Sequence, residues 1–410
     1  MLRNVSSTLF IMVLSMLASF AVTILLGRAL SISDFGEYAL LRQVVLIGIT
    51  IAIFGLDFSY TKIFALKTDA NRKTHLLTLL FFALLSIIYV TILKFIYDFH
   101  RDKLFYLFFS TVFGATGLFV AAIQRLKGRF LLAQIFAGGW KIALLVVVLI
   151  ALYLESPLRI ISIYQFMLLS LFIYSSYYIK FLFQSYQKSD EEIDYRHYLK
   201  LGMVFWIINS TGLISGGIDK LVIPVFYDRD ILGIFAGISF IFTTSMTMVG
   251  SAIGYVIFPK ISAGQKINIR KLSLYLSILI SATFILFYFT GVQLVNIVFQ
   301  LKFEAYVSPF LIFLFTLIGA LQIVHTILHF IISARGSNKE LISYWVIMLI
   351  YILFFVLALY LGKFISIPIL VYISEVLILT QILKISSILA VFKNLLREDR
   401  EIINKLSTTQ

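Results

Sequence analysis

The chain has 410 residues, of which 61% are hydrophobic and 13% charged, with a formal net charge of +14 and no cysteine. A soluble domain carries about a quarter charged residues, and no water-facing surface absorbs this much apolar side chain, which excludes a soluble enzyme and a disordered protein. The missing thiols exclude a disulfide framework, a zinc–thiolate centre and an iron–sulfur cluster.

Apolar runs of about 18 residues or more are long enough to cross ~30 Å of hydrocarbon as helices. The first, 5–26, follows Arg3 and resembles a signal peptide, but it is too long for an h-region and lacks a small-residue cleavage site, so it reads as a retained helix. Runs at 38–58, 76–97, 104–123, 131–153 and 160–182 complete a first group of six. A second six lie at 199–223, 232–257, 272–295, 309–333, 341–361 and 367–390. The runs lack the period-two alternation of a β-barrel and are about twice too long for one. The expected fold is an all-α polytopic membrane protein of about 12 transmembrane helices.

With a cytoplasmic N-terminus, 22 of the 34 Lys and Arg fall in inside segments and 8 in outside loops. That asymmetry over short loops places both termini in the cytoplasm. It also accounts for the basic charge without nucleic acid as a partner.

An internal repeat divides the runs. Asp34-Phe35-Gly36-Glu37-Tyr38-Ala39 and Ile231-Leu232-Gly233-Ile234-Phe235-Ala236 share an apolar-Gly-x-aromatic-Ala pattern, and Lys62-Ile63-Phe64-Ala65 matches Lys260-Ile261-Ser262-Ala263 at nearly the same offset. An even number of spans per copy gives two six-helix bundles of the same orientation, related by an axis along the membrane normal. The expected organisation is an N-terminal lobe over 1–183, a charged cytoplasmic linker over 184–198, a C-terminal lobe over 199–392 and a tail over 393–410.

Ionisable side chains within hydrocarbon are costly, which marks them as functional candidates. Lys141 and Glu375 lie near the middle of their runs and read as lining a polar lumen, with a buried pair between helices as the alternative. Arg28 and Arg42, at outer ends of runs, either snorkel to the interface or grip an anion with the guanidinium fork. Asp57 sits near an inner end. Asp219 and Lys220 are adjacent and so are not expected to pair. Lys384 is within snorkelling reach of the cytoplasm. His325 and His329 share a helical face but lack a third ligand, so they read as interhelical contacts, with a proton-linked role for His325 as a further reading. No metal or cofactor is expected. There is no Gly-rich phosphate loop, nucleophile elbow, carboxylate cluster or His–Cys pair, so the chain reads as a non-enzyme.

Leu2-Arg3-Asn4, Leu25-Leu26-Gly27-Arg28-Ala29-Leu30, Asp34-Phe35-Gly36-Glu37-Tyr38-Ala39-Leu40 and Ile53-Phe54-Gly55-Leu56 resemble the start of bacterial polysaccharide-unit flippases, of the multidrug, oligosaccharidyl-lipid and polysaccharide exporter superfamily. The resemblance implies two six-helix bundles around a central cavity, working by alternating access in the bacterial inner membrane. The implied cargo is an undecaprenyl-diphosphate-linked oligosaccharide carried to the periplasmic leaflet for O-antigen or another surface polysaccharide. Polymerase and chain-length proteins would be its pathway partners. Arg28, Arg42, Lys141 and Lys220 are then the cations for diphosphate and sugar. Asp57, Glu375 and His325 are the candidates for coupling to a proton or sodium gradient. A multidrug exporter of the same superfamily is the nearest rival, although bases outnumber acids in the first-half runs. A membrane polysaccharide polymerase or glycosyltransferase is the enzymatic rival, disfavoured by the short outside loops.

Overall fold

The structure, a computed structural model, describes residues 2–64, 72–155, 158–178, 194–262, 269–335 and 338–392. It forms two compact units, Met1–Val225 and Phe226–Gln410, and the described residues are overwhelmingly helical, with no strand among them. In the first unit the helices are α1 (Leu2–Ala29), α2 (Ile32–Ile53), α3 (Leu56–Phe64), α4 (Arg72–Tyr97), α5 (Arg101–Leu126), α6 (Phe130–Gly138), α7 (Trp140–Tyr153), α8 (Ile160–Ser175), α9 (Tyr195–Ser215) and α10 (Ile218–Phe226). In the second they are α11 (Arg229–Ser239), a π-turn (Phe240–Thr244), α12 (Ser245–Ser262), α13 (Ile269–Phe299), α14 (Pro309–Arg335), α15 (Asn338–Leu361) and α16 (Ile369–Val391). The expected linker lies outside the described residues except for 194–198, and the tail lies wholly outside them.

Local chemistry sets the helix starts. Ser31 caps α2 by accepting from the Asp34 amide at 3.1 Å, and Asp194 caps α9 by accepting from the amides of Arg196 and His197. Ser308 accepts from the Leu311 amide at 3.2 Å while Pro309 takes the first helical position, where no donor is needed.

Nine helical segments among the described residues are long and apolar enough to cross a membrane, ten counting one bent pair. Two of the twelve sequence-derived runs fall short of that standard. The run at 160–182 is a shorter apolar helix, α8, and the run at 199–223 is divided between α9 and α10 at Gly216-Gly217. In the second unit only 11% of the α13 span is buried against 72% for α14, so α13 presents Leu274, Ile278, Ile285 and Phe289 outward while α14 runs through the core. An outer shell this apolar would form an aggregating patch in water, whereas hydrocarbon accommodates it. The protein is a multi-pass membrane protein. Both copies of the repeated motif sit in equivalent places, buried in the first turns of α2 and α11.

The second span is interrupted. α2 ends at Phe54, φ 50°, and Gly55, φ +67°, before α3 resumes. Here α9 packs directly on the break: a side chain at Gly55 would meet the Gly202 carbonyl and the Trp206 amide, and one at Gly202 would meet the Phe54 carbonyl at 2.8 Å. Phe54 stacks on Trp206 with centroids 5.5 Å apart. Gly55→Ala therefore faces both left-handed strain and a backbone clash, and should destabilise the first unit by about 2–4 kcal/mol. A lowered thermal unfolding midpoint of the purified chain in detergent is the expected reading, and an unchanged midpoint would show that α9 does not press on the break.

Candidate functional site

The fifth span is also broken. α6 and α7 meet at Gly138-Gly139 with a bend of 49°. A side chain at Gly139 would strike the Tyr174 ring of the C-terminal end of α8 at 2.7 Å, so the bend is packed from outside and is held by a residue without a Cβ. α7 restarts at Trp140 with the Ile142 and Ala143 amides bonded to the Gly139 carbonyl, so its first turn carries part of the positive charge of a helix end. Lys141 is the second residue of α7.

Two separate voids have it in their linings. One, of about 180 Å³, is lined by Thr50 of α2, Gly114 and Gly117 of α5, Tyr174, Trp140 and Lys141. Gly117 leaves part of this space open by presenting no side chain, whereas Ile49 fills the place a side chain at Gly114 would take. The other holds about 10 Å³, room for roughly one water, and is lined by Ser19 of α1, Tyr38 and Arg42 of α2, and Trp140 and Lys141. Arg42 and Lys141 thus face one void from two helices. The Lys141 ammonium also lies 5.8 Å from the Trp140 ring centroid, a cation–π distance. Among the described residues no carboxylate pairs with either cation. Arg42 and Lys141 meet beside the start of α7 with Ser19 and Tyr38 in the same lining and no acid among the described residues, an arrangement chemically suited to an anion, while the Thr50 hydroxyl is already committed to the Leu46 carbonyl.

The remaining predicted residues fall elsewhere. Arg28 is exposed in the last turn of α1. Lys220 is not a free cation: it pairs with Asp219 at 3.2 Å, both side chains largely buried at the start of α10. The expectation that these neighbours would not pair is corrected, because the lysine stem is long enough to fold back to the preceding carboxylate. Asp57 lies in the first turn of α3, just past the Gly55 break, and its Oδ1 is buried without a hydrogen bond. Glu375 is exposed on α16 and makes no ion pair among the described residues. His325 is buried on α14 and bonds the Tyr344 hydroxyl. Lys384, expected to snorkel, is instead 3% exposed within the second unit.

Sequence reading missed two features. One is the Gly138-Gly139 break, whose signal was a glycine pair in the middle of an apolar run. The other is Glu37, buried in α2, which pairs with Lys103 of α5 and accepts from the Tyr164 hydroxyl of α8 at 3.2 Å.

A sequence profile of a family described as polysaccharide biosynthesis protein matches residues 1–265. In structure the chain is similar to the lipid II flippase MurJ in an inward closed conformation, with a TM-score of 0.66 and 14% identity over 96% of this chain and 88% of that one. It is similar to an inward-facing multidrug resistance MATE family transporter of the MOP superfamily, at 0.62 and 14% over 94% and 96%. It is also similar to the Vibrio cholerae MATE transporter VcmN, at 0.53 and 10% over 96% and 99%. At these identities the likeness is one of fold. No curated protein sequence matches the chain.

Proposed function

The chain belongs to the polysaccharide biosynthesis protein family, and from that premise we propose that it is a flippase for an undecaprenyl-diphosphate-linked oligosaccharide. It carries the headgroup from the cytoplasmic to the periplasmic leaflet of the bacterial inner membrane, serving O-antigen or another surface polysaccharide, ahead of the polymerase and chain-length proteins. The observation that supports this reading is the Arg42–Lys141 site at the amide end of α7.

A diphosphate and its sugar hydroxyls lose their water on entering hydrocarbon, which costs several kcal/mol per unpaired polar group and far more for the charges. A broken span aiming a helix amide end at an anionic group is how transporters meet that cost within the bilayer. Arg42 offers a fork matched to phosphate oxygens and Lys141 a point charge. The 180 Å³ void admits a phosphate and its nearest atoms, not a whole repeat unit. It is therefore the grip on the linkage, while sugars and isoprenoid extend beyond it. In this reading the chain has twelve spans in two six-helix lobes with cytoplasmic termini, and it works by alternating access as a transporter, not a catalyst. Arg28 and the Asp219-paired Lys220 are outlying contributors, and Asp57, Glu375 and His325 are the groups for ion coupling.

The MATE-like fold favours a second reading, export of drugs. Cationic drugs call for acidic lining, and the void around Lys141 has none. The two separate in proteoliposomes holding a fluorescent undecaprenyl-diphosphate oligosaccharide. The full chain should speed exposure of the headgroup to an impermeant quencher by at least tenfold over protein-free vesicles. Quenching at the protein-free rate, together with efflux of a cationic dye, would reverse the ranking.

A further inference from the structure

The second unit holds a polar cluster that the cation site does not use. The Tyr344 hydroxyl of α15 lies 3.1 Å from Nε2 of His325 and 3.1 Å from Nδ1 of His329, which are one turn apart on α14. Lys384 of α16 is buried close enough to act electrostatically on both imidazoles. One turn before it, Gln381 has a buried Oε1 with no hydrogen-bond partner. His325 and Tyr344 are each 4% exposed.

The hydrogen-bond chemistry is asymmetric. A phenol has one proton, so Tyr344 donates to one imidazole and accepts from an N–H of the other. The two rings differ in protonation at the atoms facing the hydroxyl, and the chain has a direction. Three bases also meet here without an acid: among the described residues no carboxylate lies within ion-pair distance of Lys384. Glu340, one turn before Tyr344, has a partner of its own. Glu375 is more than two turns from Lys384 and exposed. Tyr351, two turns beyond Tyr344, bonds Ser387 at 2.6 Å. Neither α12 nor α13 carries a charged residue among its described side chains. Two adjacent positive charges in hydrocarbon are too costly to persist, while interhelical adhesion alone calls for no basic group at all.

We propose that His325, Tyr344, His329 and Lys384 form a proton-binding site that holds one excess proton and passes it between the imidazoles through the tyrosine. In the transfer the His325 Nε2–H bond breaks as a new O–H bond forms on Tyr344. The original phenol O–H breaks as an Nδ1–H bond forms on His329. The charge moves from one ring to the other and the phenol is regenerated. The site goes beyond the cation receptor, and it depends on the flippase reading only for what the proton drives.

The chain has five histidines, few enough for their ¹⁵N resonances to be assigned by single substitution in the full chain in nanodiscs. Between pH 3 and 9 His325 and His329 should titrate as one coupled pair. Tyr344→Phe should separate them into two independent steps, and Lys384→Met, by removing a neighbouring positive charge, should ease protonation of both. In proteoliposomes a proton gradient should accelerate headgroup translocation severalfold for the native chain and not for Tyr344→Phe. Both imidazoles fixed in one state across the range would overturn the proposal, and that native measurement decides even if Tyr344→Phe does not fold. A coupled titration without translocation would keep the proton site and sink the flippase reading; translocation with flat titrations would do the reverse.

Discussion

Lys141→Met is expected to lower translocation of the lipid-linked oligosaccharide by roughly ten- to a hundredfold, the equivalent of losing one hydrogen bond to a charged group, about 1.5–3 kcal/mol. The same substitution should leave the purified chain as stable or slightly more stable. Lys141 at the start of α7 shares one small void with Arg42, without a carboxylate paired to either among the described residues. Removing one of two mutually repelling cations, and replacing it with an apolar side chain of similar length, relieves desolvation and repulsion together. Opposite signs for transport and stability distinguish a receptor from a structural lysine, because a residue kept for packing would lose both. Arg42→Met should act in the same direction, and the double variant should fall short of the product of the singles, since both groups grip one anion. Lys141→Arg should recover much of the loss. Headgroup quenching in proteoliposomes and thermal unfolding of the same preparations are the paired measurements. A native rate in Lys141→Met, or a stability loss matching the transport loss, would remove Lys141 from the site.

Much of this was legible in the sequence, for identifiable reasons. Hydropathy located the spans because length in hydrocarbon is a strong constraint. It also located Arg42 and Lys141, because a charge in a long apolar run is conspicuous wherever it points. Direction was not legible. In a soluble helix the polar face reveals the buried one, but a membrane helix is apolar on both faces and gives no such contrast. Lys384 shows the consequence. Its distance from the helix end suggested snorkelling, yet it shares a face with Ile373, Leu377, Thr380 and Ile388, all buried, and is turned inward. Glu375 on the same helix is exposed.

Helix breaks were the second blind spot. Gly138-Gly139, Phe54-Gly55 and Gly216-Gly217 each interrupt a run that composition reads as continuous. A break matters twice over. It exposes backbone groups that must be satisfied inside protein, and it decides which side chains sit at a charged helix end. Without the first of these breaks Lys141 would be an isolated mid-span lysine; with it, the residue stands at a convergence of positive potential.

A different pair ties three helices of the first unit together. Glu37 is 3% exposed, while the Lys103 side chain that pairs with it keeps 20% of its surface. Tyr164 donates to the same carboxylate oxygen and lies under the lysine, whose ammonium is 6.0 Å from its ring centroid. Three helices, α2, α5 and α8, are thereby joined at one atom, just inside the capped start of α2. Lys103 counted from sequence as one of the outside-loop cations that fix orientation, and its partner went unnoticed because Glu37 lies 66 residues away. Removing one member of a buried pair strands the other, at about 3–5 kcal/mol. Partial exposure of Lys103 lowers that to about 2–3 kcal/mol for Lys103→Met. Lys103→Met combined with Glu37→Gln should recover most of the loss, since no net charge is then left buried. Equilibrium unfolding in mixed micelles measures all four corners of that cycle. Additive losses would mean that Glu37 is held by Tyr164 and the backbone of α2, and that the lysine is incidental to how the three helices are joined.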